Sequence, residues 1–181
     1  MKTANPAPLG LFGFALTTFL LSMINAGFIP GTGLGVVLAM AFAFGGFAQF
    51  CAGLMEMTVG NTFGFVAFCS YGAFWLSFAL FVEFFAKDVP GVMVGWYLAA
   101  WGAFTFVMFI GTFALNRALQ AIFFVLTITF ALLALKDLTG NAALGGYGGD
   151  LGIVTAFLAF YLGAAHVING THGRVILPIG G

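Results

Sequence analysis

Asparagine stands just ahead of a long apolar run at Asn5, Asn61 and Asn116, and a bulky residue follows each at a near-constant distance. Those residues are Phe14, Tyr71 and Leu126, nine, ten and ten positions on. An asparagine there caps a helix, pairing one of the backbone N–H groups left open at a helix start, and still offers amide hydrogens to a solute. Helix starts also carry partial positive charge, so three of them around one vestibule attract an anion without any Lys or Arg in the membrane. Pro6 and Pro8 stiffen the first opening turn, where a missing N–H costs least. At the helical rise per residue, nine or ten positions reach roughly 15 Å inward, about half the hydrocarbon core of a bilayer. Phe, Tyr and Leu at one depth form a narrow apolar gate behind an amide-lined mouth. The plain alternative is three ordinary helix caps.

The faces of the apolar runs add a partial polar path. Phe14, Thr18, Ser22 and Asn25 share one helical face with Thr17 beside it, and Gly45, Gln49, Gly53 and Glu56 share another. Tyr71 and Trp75 lie one turn apart; Trp101, Thr105, Met108 and Thr112 line up in the same way. Threonines in membranes often bond only to their own helix, so each of these hydroxyls is either structural or part of the path. A primary amide facing lipid is expensive, which leaves Gln49 an interhelical hydrogen bond or a solute contact. Glu56, at a span end near Asn61, reads as a surface carboxylate, with binding or proton movement as the other role. Glu83 and Asp88 read as interfacial. His166 and His172 have no acid at helical spacing, so a satisfied structural role is expected although imidazole can relay protons. Trp96, Tyr97 and Trp101 suit an interfacial aromatic belt.

These elements need a membrane to hold them. The chain has 181 residues, 62% hydrophobic and 6% charged, with a mean hydropathy of +1.15, which excludes a water-soluble domain. Five basic and five acidic residues cancel, removing any case for nucleic acid or an anionic membrane surface as a partner. Cys51 and Cys69 fall in apolar runs and read as small buried hydrophobes. No catalytic dyad, metal set, nucleotide loop or cofactor motif is present, and Gly33-Leu34-Gly35 is too ordinary among 27 glycines to mean phosphate binding.

Six spans are expected in a single domain, near 9–28, 34–55, 62–82, 92–115, 117–135 and 151–168. Breaks fall at Pro30-Gly31, at 56–60, at Lys87-Asp88 before Pro90-Gly91, at Asn116-Arg117, and across a long glycine-rich loop at 136–150. Lys2 precedes a run long enough to span, without a convincing cleavage site. An even span number puts both termini on one side with Lys2, Arg117 and Arg174, against Lys87 and Lys136 opposite, so the termini are expected to be cytoplasmic. The asparagines recur at the length of one helical hairpin. Ile29-Pro30-Gly31, Val89-Pro90-Gly91 and Leu138-Thr139-Gly140 repeat a turn in step with them. Three hairpins about an axis along the membrane normal are therefore expected.

Asn5-Pro6-Ala7-Pro8-Leu9-Gly10-Leu11 resembles the N-terminal signature of the acetate uptake transporter family, the succinate–acetate permeases and their fungal relatives. Ala52-Gly53-Leu54-Met55-Glu56, Gly60-Asn61-Thr62-Phe63, Ser70-Tyr71-Gly72-Ala73-Phe74-Trp75-Leu76, Phe130-Ala131-Leu132-Leu133-Ala134, and Gly173-Arg174 with Leu177-Pro178-Ile179-Gly180 are similar too. The likeness covers essentially the whole chain. It departs at 56–60, which lacks the basic residues many members carry there. The resemblance implies a six-helix bundle related to acid-gated urea channels and assembled as a hexamer in the cell membrane. Each protomer would carry acetate, other short monocarboxylates and sometimes succinate. The family's Phe-Tyr-Leu constriction falls on Phe14, Tyr71 and Leu126, the residues marked by the asparagine spacing.

A short carboxylic acid is mainly anionic at neutral pH, and moving it bare past an apolar ring costs several kcal/mol. Proton co-movement is therefore expected, with hydroxyls of Thr17, Thr18, Thr105, Thr112 and Tyr71 replacing lost water. A passive channel for neutral molecules such as urea or protonated acids is the alternative. A non-transporting scaffold comes third, and an intramembrane enzyme last.

Overall fold

The computed structural model describes residues 3–181; Lys2, used above for topology, lies outside the described residues. Six helices are each long and apolar enough to cross a membrane: α1 (Ala7–Asn25), α2 (Gly31–Thr58), α3 (Thr62–Asp88), α4 (Gly91–Ala114), α5 (Arg117–Thr139) and α6 (Ala142–His172). Helix α2 contains a π-helical stretch, Ala43–Ala48, and α3 passes through another, Phe81–Phe85, before a final 3-10 turn.

Sequential helices are neighbours, and α6 returns against α1 to close a ring. Close approach between α2 and its neighbours depends on glycine: a Cβ at Gly45 would sit 2.5 Å from Thr17 Oγ1, and one at Gly53 would sit 2.5 Å from Cys69 Sγ. The α3–α4 seam is different. Its backbones stay apart because large rings fill it, with Phe74 stacked on Tyr97 at 5.9 Å and edge-on to Trp101 at 5.2 Å. The ring's interior buries Leu11, Phe14, Tyr71, Phe74, Phe123, Leu126, Phe130 and Leu162. Phe47, Val107, Phe113 and Phe157 face outward, as expected of helices apolar on all sides.

The caps agree with the asparagine spacing and extend it. Asn61 Oδ1 accepts from Gly64 N at 3.0 Å and Asn116 Oδ1 from Leu119 N at 2.9 Å. Asn5 Oδ1 accepts from Ala7 N at 3.0 Å, with Pro6 between it and the helix. A fourth asparagine, Asn141, caps α6 through Ala143 N at 3.1 Å, so the device is not confined to odd helices.

The expected loop at 136–150 is corrected. Helix α5 runs on to Thr139, Gly140 ends it with a left-handed φ of 72°, and α6 starts at Ala142. The glycine-rich stretch is helical because α6 crosses the end of α1 there: a Cβ at Gly149 would collide with Ala26 N. The three turns are also not equivalent. Pro30 and Pro90 are extended residues ahead of a helix, with ψ of 152° and 141°, whereas Gly140 is a left-handed terminator.

After α6 the chain folds back over the terminal face. Asn169 Oδ1 accepts from Ile176 N and Leu177 N at 2.7 and 2.9 Å, and its Nδ2 donates to Leu177 O at 2.8 Å. Arg117 N and Ala118 N then donate to Gly180 O and Ile179 O at 2.6 and 3.0 Å. The tail thereby pairs two of the open N–H groups at the start of α5 and brings the C-terminus beside Asn116.

Candidate functional site

Two cavities meet the bundle core from opposite ends. The first, about 270 Å³, is lined at its mouth by Asn5, Asn61 and Asn116 and at its floor by Phe14, Tyr71 and Leu126. Between mouth and floor come Ala7, Gly64 and Leu119, then Leu11, Phe68 and Phe123. The second, about 480 Å³, is lined by Leu21, Phe78 and Leu133, then by Asn25, Val82 and Asp137. Each set draws one residue from α1, one from α3 and one from α5. Relative to Phe14, Tyr71 and Leu126, the sets sit seven and three residues before, and seven and eleven after. Those intervals keep side chains on one helical face, so the three odd helices present matching faces over their whole length.

The Phe14, Tyr71 and Leu126 side chains are 7%, 3% and 4% exposed. Phe14 and Tyr71 rings lie 5.6 Å apart, and Phe123 packs on Tyr71 at 6.1 Å. On α1 the first cavity ends at Phe14 and the second begins at Leu21, while on α3 and α5 the gap is only from Tyr71 to Phe74 and from Leu126 to Phe130. The barrier between them is thus thickest along α1, where Thr17 and Thr18 lie within it.

Two of the four expected threonine hydroxyls are committed to their own helix. Thr105 Oγ1 donates to Trp101 O at 2.7 Å, leaving it to accept from the Tyr71 hydroxyl at 2.9 Å. Thr112 Oγ1 donates to Phe109 O at 2.6 Å. Thr17 and Thr18 hydroxyls are buried without partners, yet neither residue lines a cavity, since Thr17 packs on Gly45. Trp75 is buried, with its indole nitrogen unpartnered, outside both cavities. The expected polar path through these five residues is therefore not what lines the cavities; the tiers above are.

Gln49 differs. It is fully buried, lines the first cavity, and neither atom of its amide has a partner. It comes directly after the π-helical stretch of α2, a feature often found at functional sites.

Three further expectations change. Glu56 is not a surface carboxylate: it is 1% exposed, its Oε2 accepts from Asn61 Nδ2 at 2.7 Å, and its Oε1 has no partner. Gly64 makes the room, since a Cβ there would lie 2.9 Å from Glu56 Cδ. Of the aromatic belt only Trp96 is exposed; Tyr97 and Trp101 turn in on Phe74, because the widely spaced α3–α4 seam must be filled. His166 lines the first cavity, and among the described residues no hydrogen bond engages its imidazole. The sequence offers no signal for that placement beyond the absence of an acid at helical spacing. The Leu11, Phe68 and Phe123 tier lies three residues before the floor on each helix, an offset the sequence itself carries.

The sequence profile of the GPR1/FUN34/yaaH family matches residues 1–179. The chain belongs to that family. It is 46% identical over 183 residues to the succinate-acetate/proton symporter SatP of Escherichia coli (strain K12), covering 99% of this chain and 96% of that one. It is 36% identical to acetate permease A of Emericella nidulans, covering 98% of this chain and 66% of the permease. It is 44% identical to ammonia transport outward protein 2 of Saccharomyces cerevisiae, covering 97% and 66%. The solved structure of the bacterial acetate channel SatP superposes with a TM-score of 0.94 at 45% identity, covering 99% of this chain and all of that one. Six apolar helices in this family make a multi-pass membrane protein.

Proposed function

We propose that the protein carries acetate and other short monocarboxylates, with succinate at the larger end, across the cell membrane together with a proton. It is a transporter, not an enzyme. The observation that carries this reading is the three-asparagine mouth leading to an apolar floor of Phe14, Tyr71 and Leu126. Amide hydrogens and helix starts suit a carboxylate. The floor does not: a bare charge crossing it loses its water and gains no partner, at a cost of several kcal/mol. The acid therefore crosses protonated, and the free amide of Gln49 offers a hydrogen-bonding stop beside the floor.

The matching tiers from α1, α3 and α5 support three hairpins around a pseudo-threefold axis, with the path along that axis inside each protomer. A hexamer with cytoplasmic termini completes the reading; the orientation rests on the sequence count of Lys2, Arg117 and Arg174 against Lys87 and Lys136, and the apolar outer faces suit lipid or like subunits.

Acetate uptake by the purified protein in liposomes, with and without an inward proton gradient, tests the proposal. Uptake accelerated by the gradient supports it. Flux indifferent to the gradient, with urea outcompeting acetate, would identify a passive channel for neutral molecules, a reading kept open by the relative named for ammonia transport. No flux would leave a scaffold.

A further inference from the structure

We propose that His166 takes the proton from the acid that has crossed the floor and anchors the resulting carboxylate in the first cavity; this rests on the transport reading above. The cavity's other polar lining is almost entirely amide: Asn5, Asn61 and Asn116 at the helix starts and Gln49 from α2. None of those titrates. Tyr71 is the other ionisable lining group, and its hydroxyl is spent on Thr105. The flanking charges are turned away or occupied: Glu56 lies behind Asn61 and holds its Nδ2, and the Arg117 guanidinium donates to Gln120 Oε1 at 3.1 Å. Among the described lining residues, His166 is thus the one uncommitted acid–base group, in a cavity that also holds the unpartnered, fully buried amide of Gln49.

The step balances within the acid and the side chain. The O–H bond of the neutral acid breaks, its proton bonds to the free imidazole nitrogen, and a carboxylate–imidazolium pair results. Imidazole is the stronger base of the two in water, so the proton goes to the ring where hydrogen-bond donors hold the carboxylate it leaves. The carboxylate's remaining lone pairs accept from Gln49 and the mouth asparagines. Loss of the imidazolium proton to vestibule water then releases anion and proton to the same side, one for one.

The test uses the full-length His172→Gln protein in nanodiscs, leaving His166 as its only histidine. NMR titration of the ring C–H signal is run with and without saturating acetate, with chloride as control. Acetate should raise the midpoint by about one pH unit, corresponding to tenfold tighter binding to the imidazolium form; chloride should not. An unmoved midpoint in a protein that still takes up acetate in liposomes overturns the role of His166 and leaves the transport reading standing. Absence of uptake by the unaltered protein overturns both. As a second readout, His166→Gln should keep measurable uptake but lose the dependence of acetate half-saturation on the terminal-side pH between about 5.5 and 7.5. An unchanged profile in that variant also overturns the inference.

Discussion

Asn61 Nδ2 donates to Glu56 Oε2 at 2.7 Å, so the carboxamide that caps α3 at the cavity mouth is held from behind by a buried carboxylate. Its oxygen is committed to Gly64 N and one amide hydrogen to Glu56, leaving a single hydrogen for a solute. Glu56→Ala removes that partner from the exposed Asn61 amide and should cost about 0.5–1.5 kcal/mol. Glu56→Gln keeps an acceptor oxygen for Asn61 and should cost less. Thermal unfolding of the two variants in detergent compares them; equal losses would mean the contact does not hold Asn61 in place.

Two other caps separate structure from transport. Asn116 and Asn141 each accept one backbone N–H, at 2.9 and 3.1 Å, and replacing either by alanine should cost about 1 kcal/mol. Only Asn116 lines the first cavity. Asn116→Ala should therefore raise the acetate half-saturation concentration several-fold while Asn141→Ala leaves it unchanged. Uptake kinetics on protein matched for folded content read the difference, and parallel effects would show the mouth asparagines to be caps alone.

The Tyr71 hydroxyl turns toward α4 and Thr105. Tyr71→Phe keeps the ring in the floor and removes that bond, and Thr105 retains its own bond to Trp101 O. The expected stability loss is about 0.5–1.5 kcal/mol, with acetate uptake and chain-length preference kept within a few-fold. Abolished uptake in a folded Tyr71→Phe protein would place the hydroxyl in the path instead.

Asn169 ties the tail to α6 with three hydrogen bonds, and the tail in turn pairs the first N–H groups of α5. Asn169→Ala should free it. Hydrogen–deuterium exchange should then quicken at the Arg117 and Ala118 amides while the centre of α5 stays protected. Unchanged exchange there would mean the tail holds its place without Asn169.

Much of this was legible along the chain because helical repeats need no partner to be read. The asparagine and bulky-residue offsets picked out six residues that line one cavity, and apolar runs located six spans. What escaped depended on neighbours. Stretch 145–149 looks like a loop until the end of α1 is seen to cross it, which is why α6 begins at Ala142. Glu56 looks superficial until Gly64 leaves space for it. Tyr97 and Trp101 look interfacial until the wide α3–α4 seam demands filling, and His166, distant in sequence from Asn5, Asn61 and Asn116, joins them only when α6 closes the ring.

The central claim is that the acid passes between Phe14, Tyr71 and Leu126, and Leu126→Ala tests it most directly. Removing most of that side chain widens the floor without touching mouth or caps. Uptake of a four-carbon acid relative to acetate, measured in liposomes on folded protein, should rise by about tenfold or more. An unchanged ratio, with acetate uptake intact, would contradict the account.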